Sequence, residues 1–406
     1  MEAPQTSDKY DIPAHVPPEL VHPIGLTEGP EFLAAPYPFM AGLHDRLPPI
    51  FYSPSLTHGG AWHLIRHADC YFTLRHPELF TTAGATPFPR DPNNYFYFIP
   101  LEIDPPDHKK YRTVLEPMFS PRGIAKLEES IRQRANALID QFIDQGECEF
   151  TTAFGRPLPV SVFLDLMGLP QDMLDTFVGW AMSLLHAQDR VAAATAMREI
   201  SAYLAAVIAE KTKSPDDGAV STIVHAAPDG VPLTEREIFG FVFFLFIAGL
   251  DTVFAAFNNI FAWLAENPKG RQEIIDNPDN IDGVVEELLR VYTVTFSGRT
   301  LTQDYEMHGV KMKKGDKITS ILPAANYDPT VFENPREVNF NRPRKPTLAF
   351  AGGVHSCMGA HLARLETKVS ISEFLRRIPN FQLKEGTKIE YWPGGVVGPK
   401  TVPLIW

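Results

Sequence analysis

Residues 350–359 read Phe-Ala-Gly-Gly-Val-His-Ser-Cys-Met-Gly, and no other stretch constrains the chain as tightly. An apolar aromatic leads into a glycine-rich turn, then a cysteine, then a small residue that opens a helical pattern. Backbone N–H groups near a helix N-terminus stabilise charge on sulfur and lower a thiol's pKa. Gly353 and Gly359 carry no Cβ, so the backbone there can approach a flat ligand closely. A lone cysteine is ordinarily a small core residue; one set in these surroundings is suited to act as a thiolate ligand.

The rest of the chain sets the frame for that loop. No Gly/Ser-rich or Pro-rich linker, charge run or internal repeat divides the 406 residues, so residues 1–406 read as one unit able to bury most of its apolar surface. A formal net charge of −12 argues against general nucleic-acid binding, which needs a basic field. Cys70, Cys148 and Cys357 are an odd, widely spaced set and make no disulfide framework, which fits a reducing cytoplasm. The N-terminal stretch is polar and Pro-rich, without the core of a signal peptide. The most apolar run, residues 238–250, is shorter than the ~20 residues of a membrane span and ends in Asp251. A soluble, cytoplasmic protein is expected.

The local patterns are mostly helical. The first forty residues read as an irregular lead-in punctuated by proline. Short β-like pieces and a helix follow over residues 59–80, then a loop over 81–106 in which aromatics cluster. Helices dominate from Asp107 to Leu185, with a break at Gly168-Leu169-Pro170, and an Ala-rich amphipathic helix covers 190–212. Thr234 with Glu237 three residues later is a capping-box pattern that opens a long apolar helix. Further helix runs to Tyr292, β-like segments alternate with turns to about Asn341, one more helix follows Cys357, and the tail is β-like.

The loop at 350–359 matches the signature Phe-x-x-Gly-x-x-x-Cys-x-Gly, and on it the chain resembles the cytochromes P450. The resemblance runs over nearly the whole chain and is closest to the bacterial class I camphor hydroxylases (camphor 5-monooxygenases). It implies a mainly α fold with minor β, a single triangular domain enclosing haem b. Cys357 would be the axial ligand of the haem iron, and thiolate ligation favours O–O cleavage. Phe350 and Gly359 would belong to the cofactor site.

Other motifs gain meaning beside that loop. Glu287-Leu288-Leu289-Arg290 puts an acid and a base on one helical face. It matches the family's Glu-x-x-Arg, by resemblance a structural pair that braces the haem-binding core. Ala248-Gly249-Leu250-Asp251-Thr252 sets an acid and a hydroxyl inside an apolar helix, which is costly unless both are satisfied. The stretch is similar to the family's oxygen-activation motif: Thr252 would hold the bound oxygen species and its water, and Asp251 would feed protons. The basic residues that tie down this acid in camphor hydroxylases are absent from the matching positions, Val178 and His186; His186 is the candidate partner. Asp104-Pro105-Pro106-Asp107-His108 followed by Arg112 resembles the family's Asp-Pro-Pro-x-His-x-x-x-Arg. With Arg299 and His355, His108 and Arg112 would bind the haem propionates, a task for which the guanidinium fork is suited. Lys109, Lys110, Arg112, Arg344 and Arg364 could form a basic dock near the sulfur for an acidic ferredoxin.

Positions matching the family's substrate pocket are Phe96, Leu101, Phe244, Ile247, Ala248, Thr295, Ser297, Gly395 and Val396, to which Phe88 and Tyr97 could add. This is an apolar set with few polar handles, as small-molecule sites usually are. Camphor hydroxylases hold the substrate ketone with a tyrosine; that position falls on Phe96, flanked by Tyr95 and Tyr97, either of which would restore the donor after a one-residue shift of register. The resemblance therefore implies a monooxygenase that hydroxylates an unactivated C–H bond of a terpenoid or norisoprenoid, ionone-type rather than camphor. It would use O2 and electrons from NAD(P)H through a ferredoxin reductase and a [2Fe–2S] ferredoxin. The alternative is a haem-based ligand-binding or sensor protein on the same fold, against which the Asp251-Thr252 pair speaks.

Overall fold

The computed structural model describes residues 11–54, 60–85, 96–186 and 190–406. Its centre is the long apolar helix expected after Thr234. The capping box is formed: the Thr234 side chain accepts from the Glu237 amide, and the Glu237 carboxylate accepts from the Thr234 amide. The helix is not continuous, however. Glu235–Leu250 ends at Asp251 (φ −101°, ψ −37°), and a second helix, Thr252–Glu266, carries on. Gly249 lies beside the break. A Cβ there would fall 2.2 Å from the Phe163 ring, so only glycine lets the helix Pro157–Met167 pack this close.

The largest core gathers around Thr252–Glu266. Phe261 stacks on Phe150 at 4.1 Å between centroids and meets Phe374 edge-on at 5.0 Å. Truncating such a buried phenylalanine to alanine costs about 3–5 kcal/mol. Phe374 belongs to the helix after the cysteine, Ala360–Arg377, which packs on Glu128–Asp140 and Ile281–Val291. The helix that begins three residues after the cysteine is thereby fixed to the core.

Strands form the margin. A mixed sheet has the order Ile50–Ser53, Ala61–Leu64, Lys317–Ser320, Ser297–Leu301, Phe80–Thr81. Only the pairing of Ala61–Leu64 with Lys317–Ser320 is parallel, so the sheet ties the front of the chain to a segment some two hundred and fifty residues on. In a second sheet Pro403–Ile405 pairs with both Glu147–Glu149 and Gln382–Leu383. The lead-in differs from its sequence reading: Pro30–Ala34 and Pro36–Arg46 are helices, each with proline in its first turn, where the missing N–H is no loss. The apolar run at 238–250 also belongs to a longer stretch. Across the break, Glu235–Glu266 has length and hydropathy (2.2) enough to cross a membrane, yet 61% of its most apolar window is buried inside the protein, as in a core helix. Val191–Lys213 passes the same test at hydropathy 1.4, with 22% buried.

Candidate haem-thiolate site

The loop before Ala360–Arg377 is closed by its own backbone. Cys357 N–H donates to Phe350 O at 3.0 Å, and Gly353 sits at φ +69° with no room for a side chain: a Cβ would meet Leu74 O at 2.2 Å. Gly352 and Gly353 thus seat the loop on the helix His67–Arg75. The Arg364 guanidinium lies 4.5 Å from the centre of the Phe350 ring and is paired with Glu286. The Cys357 side chain is accessible, yet deep enough that burial pushes its thiol pKa up. The Gly359 amide and the charges of Arg112 and Arg364 pull it back. The lowered thiol pKa expected from the helix N-terminus is therefore outweighed by desolvation; coordination to a metal deprotonates such a thiol outright.

Facing inward, the central helix leaves one stripe uncovered. Phe244, Ile247, Ala248 and Thr252 are partly accessible, while Phe241, Val242, Phe243, Leu245, Phe246 and Leu250 are buried. The spacing i, i+3, i+4, i+8 is one helical face. Phe96, Leu101, Phe244 and Ile247 pack on the same apolar cluster as Met358. Phe96 is nested edge-on among Phe239 (4.9 Å), Phe243 (5.1 Å) and Phe98 (5.8 Å). Thr295 and Val396 are joined by a β-bridge, which sets Gly395 and Val396 beside Thr295. The Ser297 hydroxyl accepts from Arg299 at 2.8 Å. Tyr97 lies at the surface, 44% exposed, and Phe88 and Tyr95 fall outside the described residues.

A second group consists of Arg299, Arg112, His108 and His355. Arg299 is 4% exposed and, among the described residues, donates to Ser297 Oγ and Gly298 O; burial pulls its pKa down to about 10 against the field of Asp104. Arg112 is also desolvated and, among the described residues, pairs with no acid. His108 is buried with Nε2 unpartnered, and burial, then His355 and Arg112, hold its pKa down to about 4. His355 is engaged differently from expectation. Its Nε2 is 3.0 Å from Asp104 Oδ1, and Asp104 also accepts from the Thr82 hydroxyl at 2.8 Å and from Thr81. That leaves Nδ1 for a further partner.

These features fit a haem. Buried guanidinium groups and an orphaned imidazole nitrogen need an anion, and two propionates would supply it. Among the described residues no group of three or more His, Cys, Asp and Glu could hold a metal ion. Cys357 as a lone ligand suits an iron carried by a macrocycle.

The acid-alcohol pair sits at the helix break. Thr252 Oγ1 donates to Ala248 O at 3.3 Å, the back-bond to the preceding turn that threonine commonly makes. Asp251 is 1% exposed, and His186 Nε2 stands 2.9 and 3.0 Å from its two oxygens. Arg156 was not singled out by any motif, but it feels the Asp251 charge and lies over the Phe254 ring at 5.1 Å. The Glu287–Arg290 pair is formed and buried; Arg342, also absent from the motif, adds a third side chain at 3.1 Å. The basic cluster is divided: Lys110 bonds Glu237 at 3.1 Å, Arg364 is paired with Glu286, and Arg344 shares a groove with Arg364, Lys368, Asp282 and Glu286.

A mostly helical fold with minor β, and a glycine-turn cysteine whose neighbour Met358 packs on the same cluster as Phe244 and Ile247, is the arrangement a haem-thiolate protein requires. The profile of the family "Cytochrome P450" matches residues 164–402. The chain is 38% identical over 404 residues to the probable cytochrome P450 127A1 of Sinorhizobium fredii, covering 97% of both chains. It is 34% identical over 288 residues to the polyketide biosynthesis cytochrome P450 PksS of Bacillus subtilis, covering 70% of this chain and 71% of the relative. The crystal structure of CYP101J2 superposes with a TM-score of 0.87 at 28% identity, over 98% of this chain and 99% of that one. The chain belongs to the cytochrome P450 family, and it is a monooxygenase, an oxidoreductase that uses haem and O2.

Proposed function

We propose that this monooxygenase, with residues 1–406 acting as one soluble cytoplasmic unit, hydroxylates an unactivated C–H bond of a terpenoid or norisoprenoid of ionone type. Electrons come from NAD(P)H through a ferredoxin reductase and a [2Fe–2S] ferredoxin. The observation that supports the substrate reading is the Phe96 nest: at the position where a ketone donor is expected, an apolar ring stands edge-on to those of Phe98, Phe239 and Phe243. A hydrogen bond to a buried ketone is worth ~1 kcal/mol. Apolar burial at ~25 cal/mol per Å² favours a longer, less polar molecule instead.

In this reading Cys357 holds the iron, with Phe350 and Gly359 shaping its loop. His108, Arg112, Arg299 and the free Nδ1 of His355 hold the propionates, while Glu287 and Arg290 brace the core behind the loop. When bound, the haem supplies oxygen activation. Phe96, Leu101, Phe244, Ile247, Ala248, Thr295, Gly395 and Val396 orient the substrate and exclude water. Ser297 serves Arg299 rather than the substrate. Thr252 Oγ1 turns from the Ala248 carbonyl to hold a proton at the oxygen side, and the Asp251 carboxyl replenishes it.

Titrations of the haem spin state with β-ionone and with camphor test the substrate. Tighter binding and a fuller shift are expected for β-ionone, and Phe96→Tyr should improve camphor. Tighter camphor binding in the wild type overturns the reading. Thr252→Ala should keep consuming cofactor while releasing peroxide in place of hydroxylated product; full coupling in that variant removes the role of Thr252.

A further inference from the structure

The break at Asp251 is one end of a buried polar run. The His186 imidazole, which follows the helix Leu174–Leu185, bonds Asp251 through Nε2 with both side chains 3% or less exposed. Its other nitrogen, Nδ1, is buried and has no partner among the described residues. The Trp392 ring lies 5.6 Å away between centroids, and its Nε1 is likewise buried and unpartnered. Trp392 sits on the tail segment that Asn259 and Asn258 fasten to Thr252–Glu266 through Val397 O (2.8 Å) and Pro399 O (3.3 Å). Gly394, at φ +131°, carries that segment past the imidazole: a Cβ there would lie 3.2 Å from Leu185 O and 3.9 Å from His186 Nδ1. Buried polar atoms are satisfied by protein or by water, and a water needs two or more partners. The indole N–H and the bare imidazole nitrogen supply them.

We propose that His186 is the relay through which Asp251 is reprotonated, taking a proton at Nδ1 from a water shared with Trp392 and passing the Nε2 proton to the Asp251 carboxylate. This rests on the reading of Asp251 as the acid above. The step balances without electrons: an N–H bond forms at Nδ1, the Nε2–H bond breaks, an O–H bond forms on Asp251, and solvent supplies the proton. The ring resets through the imidazolium: once the carboxyl has passed its proton on, Nε2 takes up a proton from water and Nδ1 returns its own to the water shared with Trp392. An arginine or lysine in this place holds a carboxylate but keeps its own charge, whereas an imidazole gains and loses a proton near neutral pH. Arg156 lies in the field of both Asp251 and Glu149, and its Nη2 approaches Met182 Sδ one turn before His186. His186 acts through Asp251 and is therefore a positioning residue.

NMR of the histidine ring nitrogens in the diamagnetic ferrous–CO holoprotein tests the connection, with His186 assigned by the signal lost in His186→Gln. The neutral ring should carry its proton on Nε2, donated to the Asp251 carboxylate. A neutral ring protonated on Nδ1 overturns the relay. Turnover of β-ionone with a surrogate ferredoxin and reductase, in H2O and D2O, tests its use. His186→Gln keeps an N–H donor for the carboxylate but carries no proton; a slowing of about tenfold or more with a larger solvent isotope effect is expected. A wild-type rate and isotope effect in His186→Gln beside a slow Asp251→Asn overturns the relay and leaves Asp251 as the acid. Wild-type behaviour in both variants overturns the reading on which the relay rests.

Discussion

The guanidinium of Arg290 meets the carboxylate of Glu287 in two parallel contacts, Nε to Oε2 and Nη2 to Oε1, each 2.8 Å. Its remaining N–H groups reach the carbonyls of Asn326 (2.7 Å), Pro335 (2.9 Å) and Glu337 (3.3 Å), so the cation is satisfied on every side. Glu287 in turn accepts from the Asn339 amide at 2.9 Å and from Arg342. The helix Ile281–Val291 is thereby tied to the segment that leads into the thiolate loop.

Removing one partner leaves the other charged, buried and unpaired. Glu287→Ala and Arg290→Ala should each cost about 3–5 kcal/mol in urea unfolding of the holoprotein. Arg290→Lys should not rescue, because a single ammonium cannot span both oxygens and the three carbonyls. Arg342→Ala should cost less, since its side chain is nearer the surface. Equal losses for all three would contradict this geometry.

Asp104 gives the protein an acid-labile clasp. Burial alone would raise its pKa, but hydrogen bonds from His355, Thr81 and Thr82 hold it down to about 2. A carboxylate depressed in the folded state contributes stability above its unfolded pKa of ~4 and loses it as pH falls toward 2. Acid unfolding should therefore take up one proton more in the wild type than in Asp104→Asn across that window. Identical acid curves for the two proteins would show that the clasp carries no stability.

Lys109 and Lys110 are neighbours in sequence with different duties. Lys110 is bonded to Glu237 and lies 4.8 Å from the centre of the Tyr111 ring, while Lys109 is exposed. If an acidic ferredoxin docks beside Arg344 and Lys109, Lys109→Glu should slow reduction by the ferredoxin, and the wild-type rate should fall as salt rises. Lys110→Glu should leave reduction nearly unchanged and lower thermal stability instead. Equal effects on reduction would remove the distinction.

Several features were legible because they are local. The turn before Cys357 depends on Gly353 having no Cβ, and the Thr234–Glu237 box and the Glu287–Arg290 pair depend on helical spacing of three residues. Spacing alone shows which of these side chains can meet. The helices at Pro30–Ala34 and Pro36–Arg46 were not legible, because proline in a first turn and proline in a loop look alike without a partner to pack on.

The sequence by itself determined the glycine turn before Cys357, the placing of Asp251 and Thr252 side by side in the apolar helix and the Glu287–Arg290 pair, since each is written in a short run of residues. The sequence offered His186 as a partner for Asp251, and the tertiary structure brings them together from 65 positions apart; only the tertiary structure decided that Asp104 engages His355 across 251 and that Arg342 completes the pair at Glu287. It likewise decided that Ser297 turns to Arg299 and Lys110 to Glu237. These pairings follow from which helices and strands pack together, a balance of many small burial energies across the whole core that no single segment encodes.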